Sequence, residues 1–331
     1  MKNCIFLIVI ILLLGCNNQT PTQQQQEGYP QVEITNGLIT AKLYLPDGEK
    51  GSYIGSRFDW SGVIPELTYN GHHYFGQWYP IHDPKIHDAI PGPVEEYMQI
   101  GYEEASVGGE FLRIGIGGLR KDDKPFERYG YYEMSNPGKW TVQPAQDHVT
   151  FTHELNDVAG YSYVYNKTVR LVKDRPEMIL EHTLRNTGQK AIQTSTYNHN
   201  FLTMDRQPTG PDITVKFAFP VVVTRADSLI TVNEKLLEYN RVLAPTETAS
   251  IGVQGFNGTV EDYDFRVENL KTGAGIRITG DKPILRIVYW SCGRAVSPEP
   301  YIDLNIQPGE SFSWNIYYNF YSFGTPPTAA R

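Results

Sequence analysis

Proton transfer needs a group that gives a proton and a group that takes one, and this sequence offers one of each in unusual settings. The imidazole is His199, in Thr196-Tyr197-Asn198-His199-Asn200-Phe201-Leu202-Thr203-Met204-Asp205. Strand alternation puts Tyr197, His199 and Phe201 on one face and Asn198, Asn200 and Leu202 on the other. A histidine between two aromatic rings is either a hydrogen-bonded core residue or a proton donor in a sugar cleft, because aromatics stack on sugar rings and imidazole titrates near neutrality. The carboxylate is Glu299, held between prolines in Ser297-Pro298-Glu299-Pro300-Tyr301, just after the aromatic pair Tyr289-Trp290. Flanking prolines fix the backbone where a carboxylate must be placed closely, although the same pattern also makes an exposed turn. Asp264, alternating with aromatics in Tyr263-Asp264-Phe265-Arg266, is a third candidate as a sugar-binding carboxylate or as the solvated start of a strand.

Other chemistries find less support. His72 and His73 are adjacent and point to opposite faces of a strand, so they do not share an ion easily. His82-Asp83 and His87-Asp88 lie among Pro80, Pro84, Pro91 and Pro93, which forbid the helix that would align metal ligands. That segment reads as a long loop of the kind that rims a cleft. No Gly-x-Ser-x-Gly elbow is present. Gly115-Ile116-Gly117-Gly118 lacks the helix and acidic partner of a dinucleotide site, and reads as glycines that let strand backbones pass closely. We expect no metal and no cofactor.

The elements that must position these groups are strands. From Val32 onward short alternating segments are separated by Gly, Pro, Asn and Asp. Val149–Leu155, Tyr161–Lys173, Met178–Arg185, Ile213–Val223, Phe265–Leu270, Ile276–Thr279 and Ile284–Trp290 read as strands. Phe312, Trp314, Ile316, Tyr318 and Phe320 recur at strict period two and give the last strand one apolar face. Met178, Leu180, His182 and Leu184 share a face, which makes His182 a core histidine. Helical periodicity is scarce, with one short helix expected over Val232–Tyr239. The sequence therefore predicts an all-β chain: one large antiparallel β-sandwich over 31–321, followed by a frayed tail over 322–331.

The first thirty residues read differently. Lys2 precedes the apolar run Ile5–Leu14, too short to span a bilayer comfortably and suited to a signal segment over 1–15. It ends in Leu13-Leu14-Gly15-Cys16, which resembles the lipobox of bacterial lipoproteins and implies a lipid on Cys16. Residues 16–30, with four consecutive Gln, read as a flexible tether. The expected location is the bacterial cell envelope, with the membrane reached through that lipid only. Cys292 is the one cysteine left after Cys4 and Cys16, so an intramolecular disulfide is excluded from the mature chain. A net charge of −8 argues against a nucleic-acid partner.

Taken in order, these segments resemble the galactose mutarotase-like (aldose 1-epimerase) superfamily. The family's mid-chain Asn-His-x-aromatic segment is similar to Asn198-His199-Asn200-Phe201. Its later strand, Gly turn, strand and Pro are similar to Tyr263-Asp264-Phe265, Gly273–Gly275, Ile276–Thr279 and Pro283. Its Glu-Pro segment before a Pro-Gly-Glu turn is similar to Glu299-Pro300 and Pro308-Gly309-Glu310. The resemblance covers roughly the C-terminal two thirds. It implies a β-sandwich with a sugar site on a concave sheet face, His199 as general acid to the ring oxygen and Glu299 as general base at the anomeric hydroxyl. It also implies Asp264, Arg57, Asn198, Tyr197 and Trp290 as sugar contacts, and a mono- or oligosaccharide as ligand. On this reading His199 and Glu299 face each other across a hollow shaped for a sugar ring. The sequence departs from the family in lacking its second active-site histidine. Arg57, in Gly55-Ser56-Arg57-Phe58, takes the arginine role, and Phe265 stands where the family has a histidine after the aspartate. The expected activity is interconversion of sugar anomers. Its rivals are a sugar-binding protein without turnover, and a glycan-cleaving enzyme using Glu299 with Asp264.

Overall fold

The computed structural model describes residues 28–324; the signal segment, Cys16 and most of the tether lie outside the described residues, as does the tail from 325. Strands β1 (Gln31–Thr35), β2 (Ile39–Tyr44), β3 (Val63–Tyr69) and β4 (His72–Phe75) form a four-stranded sheet in that order. After β5 (Val94–Tyr97), strands β6 (Glu110–Arg113), β7 (Gly117–Arg120) and β8 (Met134–Asn136) form a small three-stranded sheet. Then come β9 (Lys139–Pro144), β10 (His148–Val158), β11 (Tyr161–Leu171), β12 (Glu177–Asn186), β13 (Ile192–His199), β14 (Ile213–Phe217), β15 (Val222–Arg225), β16 (Ile230–Asn233) and β17 (Leu236–Tyr239). The chain closes with β18 (Thr248–Gln254), β19 (Asp264–Asn269), β20 (Ala274–Gly280), β21 (Arg286–Cys292), β22 (Ala295–Ile306) and β23 (Ser311–Ser322).

Two large antiparallel sheets carry the architecture. One has ten strands in the order β16-β17-β14-β19-β20-β23-β12-β11-β10-β9, the other six in the order β15-β18-β21-β22-β13-β5. Period-two alternation explains why they pack face to face. Trp314, Ile316, Tyr318 and Phe320 of β23 are buried on one side, and Ile302, Leu304 and Ile306 of β22 join them in one continuous apolar core. Each such side chain contributes roughly 1.5–3 kcal/mol relative to remaining in water. The opposite face of the six-stranded sheet is covered in part by a second apolar cluster that includes Phe58, Trp60, Trp78 and Phe201.

A polar tie crosses the core. Glu95 of β5 is fully buried and receives an ion pair from Lys167 of β11, a hydrogen bond at 2.8 Å with His182 of β12, and one at 3.0 Å from Asn198. Burial opposes ionisation of Glu95, but Lys167 and His182 outweigh it and hold the carboxyl down at about 2. His182 also stacks on Trp314 with ring centroids 4.6 Å apart, so it is the core histidine that the pattern on β12 predicts.

Three local expectations change. Val232–Tyr239 is the hairpin β16–β17 rather than a helix: Glu234 takes a left-handed φ of 52° at the turn, Val232 pairs with Leu237, and Leu237 and Tyr239 bury on one face. Ile213–Val223 is two strands in different sheets, because Pro220 cannot continue a ladder. Ser322 belongs to β23, paired with Ala274, and is not yet tail. The glycines of 115–118 do permit close approach: Gly117 has φ 130°, and a side chain there would collide with the carbonyl of Asn136.

Candidate functional site

The outer face of the six-stranded sheet collects the side chains of alternate residues. Tyr197 of β13 lies opposite Tyr301 of β22 and opposite Glu96 of β5. Two residues further along, on the same face, the same pairing brings His199 to Glu299. On the other side of β22, Val288 of β21 is the cross-strand partner of Glu299, Arg286 of Tyr301, and Trp290 of Ser297. His199 Nε2 lies 3.1 Å from Glu299 Oε1.

Aromatic rings enclose this contact. Phe201 stacks on the imidazole with centroids 3.6 Å apart, while Phe58 and Trp290 meet it edge-on at 5.7 and 5.0 Å. His199 is 3% exposed and Glu299 5%. The expected hollow between the two groups is therefore absent: they touch, and no sugar ring fits between them. The opening lies on the far side of Glu299. There, one strand away, a groove of about 310 Å³ is lined by Arg225, Gly252, Gln254, Arg286 and Val288 among others; Val288 reaches it, and Glu299 itself does not line it. Gly252 is the cross-strand partner of Val288 and has no side chain to fill the trough.

Beside the pair sits a cluster of ions. Glu96 is fully buried and faces three guanidinium groups, Arg57 at 2.8 Å, Arg128 at 2.8 Å and Arg113 at 3.8 Å. It also accepts a hydrogen bond from the Tyr197 hydroxyl at 2.6 Å. Burial opposes its ionisation, but Arg57, Arg128 and Arg113 prevail and hold the carboxyl at about 2. Arg128 donates onward to the hydroxyls of Tyr197 and Tyr301 at 2.9 and 3.1 Å. At the rim, Arg57 meets His87 Nδ1 at 3.1 Å and lies over the ring of Tyr129, which is 58% exposed and stacks on His87.

These surroundings set the protonation of the pair. Burial, then the positive charges of Arg57 and Arg128, push the imidazole of His199 well below its ordinary value, so it is neutral at pH 7. Burial pushes the Glu299 carboxyl up to about 8, against the pull of Arg57, Arg128 and Arg286. The folded chain thus holds the Glu299 proton more tightly than the unfolded chain, whose value is near 4.5. That stabilisation is complete below the unfolded value and is lost as the pH rises to about 8. Glu299→Gln has no such dependence. Urea unfolding should show wild type losing on the order of several kcal/mol relative to Glu299→Gln between pH 5 and 9, since each tenfold difference in proton affinity is worth about 1.4 kcal/mol. A constant difference would contradict the burial of an ionisable carboxyl here.

Of the residues expected from sequence, His199, Glu299, Tyr197, Trp290 and Arg57 come together on this face. Asn198 does not: alternation turns it inward, where it donates to Glu95. Asp264 does not either. It stands on β19 in the other large sheet, in a two-pronged ion pair with Arg277 at 2.8 and 2.7 Å. It is therefore no partner for Glu299, and the glycan-cleaving reading loses its second carboxylate. Glu96 and Arg128 escape a reading of the sequence, while His87 stands in the segment that reads as a loop rimming a cleft. The signal for Glu96 is the pair Glu95-Glu96 inside the short strand Val94–Tyr97, where each carboxylate must be buried on a different face.

Comparison with solved structures decides the fold. A protein from Synechocystis sp. PCC 6803, Slr1438, is 14% identical and superposes with a TM-score of 0.54, over 89% of this chain and 96% of that one. A GalM/aldose epimerase homologue from C. elegans is 14% identical with a TM-score of 0.51, over 89% of this chain and 100% of that one. A galactose mutarotase-like protein from Lactobacillus casei is 13% identical with a TM-score of 0.50, over 88% of this chain and 100% of that one. The fold is galactose mutarotase-like. No protein-family profile matches the sequence, and no curated protein matches it. At these identities the likeness carries the mutarotase-like architecture and leaves activity to be argued from the site.

Proposed function

We propose that this chain is a carbohydrate-active protein that seats a sugar in the trough beside Glu299 and exchanges its anomers by proton transfer. The observation that carries this reading is the buried Glu299–His199 contact across the neighbouring strands β22 and β13, with an open groove that begins at Val288, the strand partner of Glu299. A carboxyl held at about 8 is ionised in part at neutral pH and is a strong base once ionised. It takes the proton from the anomeric hydroxyl; the bond from the anomeric carbon to the ring oxygen breaks to give the open aldehyde, and the ring oxygen is protonated from water in the groove. Reclosure on the other face of the carbonyl reverses each transfer, so nothing is consumed. His199 is neutral and holds Oε1 of Glu299; it does not act as a cationic acid, because burial and two guanidinium groups disfavour the imidazolium. Trp290, half-buried, packs edge-on against His199 and Phe201 and helps to enclose the pair.

The test is polarimetry on freshly dissolved α-glucose and α-galactose. Acceleration over buffer supports the reading, and sugar binding without acceleration overturns the catalytic part. That second outcome would make the chain a sugar-binding protein, a reading favoured by the direct contact of the two groups.

The Leu13-Leu14-Gly15-Cys16 run further supports a lipid-anchored protein of a bacterial envelope. Labelled palmitate should enter the wild-type chain in a bacterial host and not Cys16→Ser; equal labelling of both would dismiss the anchor.

A further inference from the structure

The groove one strand from Glu299 is lined by positive charge. The chain carries a net −8, yet two guanidinium groups line this one groove, Arg225 from β15 and Arg286 from β21. Both residues are exposed, and among the described residues neither has a carboxylate within 4.0 Å. Each is nevertheless oriented. Arg286 lies over the Tyr301 ring at 3.8 Å, and Arg225 donates to the Ser250 hydroxyl at 2.5 Å. Contacts to a ring face and to a neutral hydroxyl fix a guanidinium without neutralising it, which leaves its forked donors for a planar or tetrahedral anion.

The excess continues past Tyr301. Arg57, Arg113 and Arg128 share a single carboxylate, Glu96, and Arg128 reaches the hydroxyl of the same Tyr301 whose face carries Arg286. A line of positive groups thus runs from the buried cluster along the side of Glu299 into the open groove. A groove of this shape and sign concentrates anions over neutral ligands.

We infer that the ligand of this groove is an anionic sugar, one bearing a carboxylate, sulfate or phosphate that Arg225 and Arg286 grip while the sugar ring lies over Val288 and Gly252. This rests on the sugar reading above and narrows it. The shared chemistry is a sugar with a charged substituent; which substituent is left to the arms of the test.

The test is calorimetric titration of the full-length chain with four probes at low salt: glucose, glucuronate, glucose 6-sulfate and glucose 6-phosphate. At least one charged probe should bind tenfold or more tightly than glucose, and the one that leads names the substituent. That preference should shrink toward unity in Arg225→Ala/Arg286→Ala and in 0.5 M salt. A conservative Arg286→Lys should retain part of the preference for a tetrahedral anion and less for the carboxylate. Equal binding of all four probes overturns the anionic assignment and leaves the sugar reading standing. Binding of none of them overturns both.

Discussion

Glu299→Gln should return anomer exchange to the rate of buffer, a loss of roughly 10²–10⁴-fold if one positioned proton-transfer group carries the acceleration. The substitution keeps the shape of the side chain and removes a basic oxygen, so substrate binding should survive while kcat falls. The pH profile gives a second reading of the same group. With its carboxyl at about 8, Glu299 is ionised in about one molecule in ten at pH 7, and the wild-type rate should climb several-fold to a plateau above pH 9. A profile flat between pH 6 and 9 would remove Glu299 from the reaction. His199→Phe separates positioning from chemistry: it takes away the group that holds Oε1, so the midpoint of the profile should move and some rate should remain. A merely structural imidazole would lower the amount of folded protein and leave the midpoint in place.

Glu96→Ala should be the most damaging change in the molecule for stability. It removes the carboxylate that Arg57, Arg113 and Arg128 share and leaves Arg57 and Arg113 buried with like charges as neighbours. Breaking a buried ion pair from one side costs on the order of 3–5 kcal/mol, and here more than one partner is stranded. Urea midpoints should show that loss, or no folded protein at all. Glu96→Gln, which keeps a hydrogen-bond acceptor for the guanidinium groups and for Tyr197, should lose less. Arg128→Ala should also cost less, because its side chain is about one third exposed and solvent screens it. The sign with pH follows from the depressed carboxyl: this stabilisation is present above the ordinary Glu value and is lost as the pH falls toward 2. A loss below about 1 kcal/mol in Glu96→Ala would show that the cluster is held together by its surroundings instead.

Much of this was legible in the residues because strand structure writes itself at period two. The alternation in Tyr197, His199 and Phe201 gave the face, and the prolines around Glu299 marked a carboxylate with a fixed backbone. The hairpin at 230–239 escaped because Val232, Leu236, Leu237 and Tyr239 satisfy a helical spacing as well as a strand with a tight turn, and only the left-handed Glu234 separates them. Asp264 misled for a related reason. Local alternation with aromatics is the same on every strand, and nothing local says which of two sheets a strand joins. Arg128 and His87 lie in loops, whose positions are set by what they cover, and no periodicity reaches there. The separation of His199 from Glu299 is likewise a matter of how closely β13 and β22 pair, which a motif does not encode.

Strand β5 carries Glu95 toward one sheet and Glu96 toward the other side, and it is the outermost strand of its layer. A foreign chain seeking to extend that layer would meet a border riveted through its thickness: Lys167 and His182 grip it from within, Arg57 and Arg128 from without. Heat or denaturant that frees those four residues would unclasp the two layers along that border in one event, far from the groove of Arg225 and Arg286 at the opposite border.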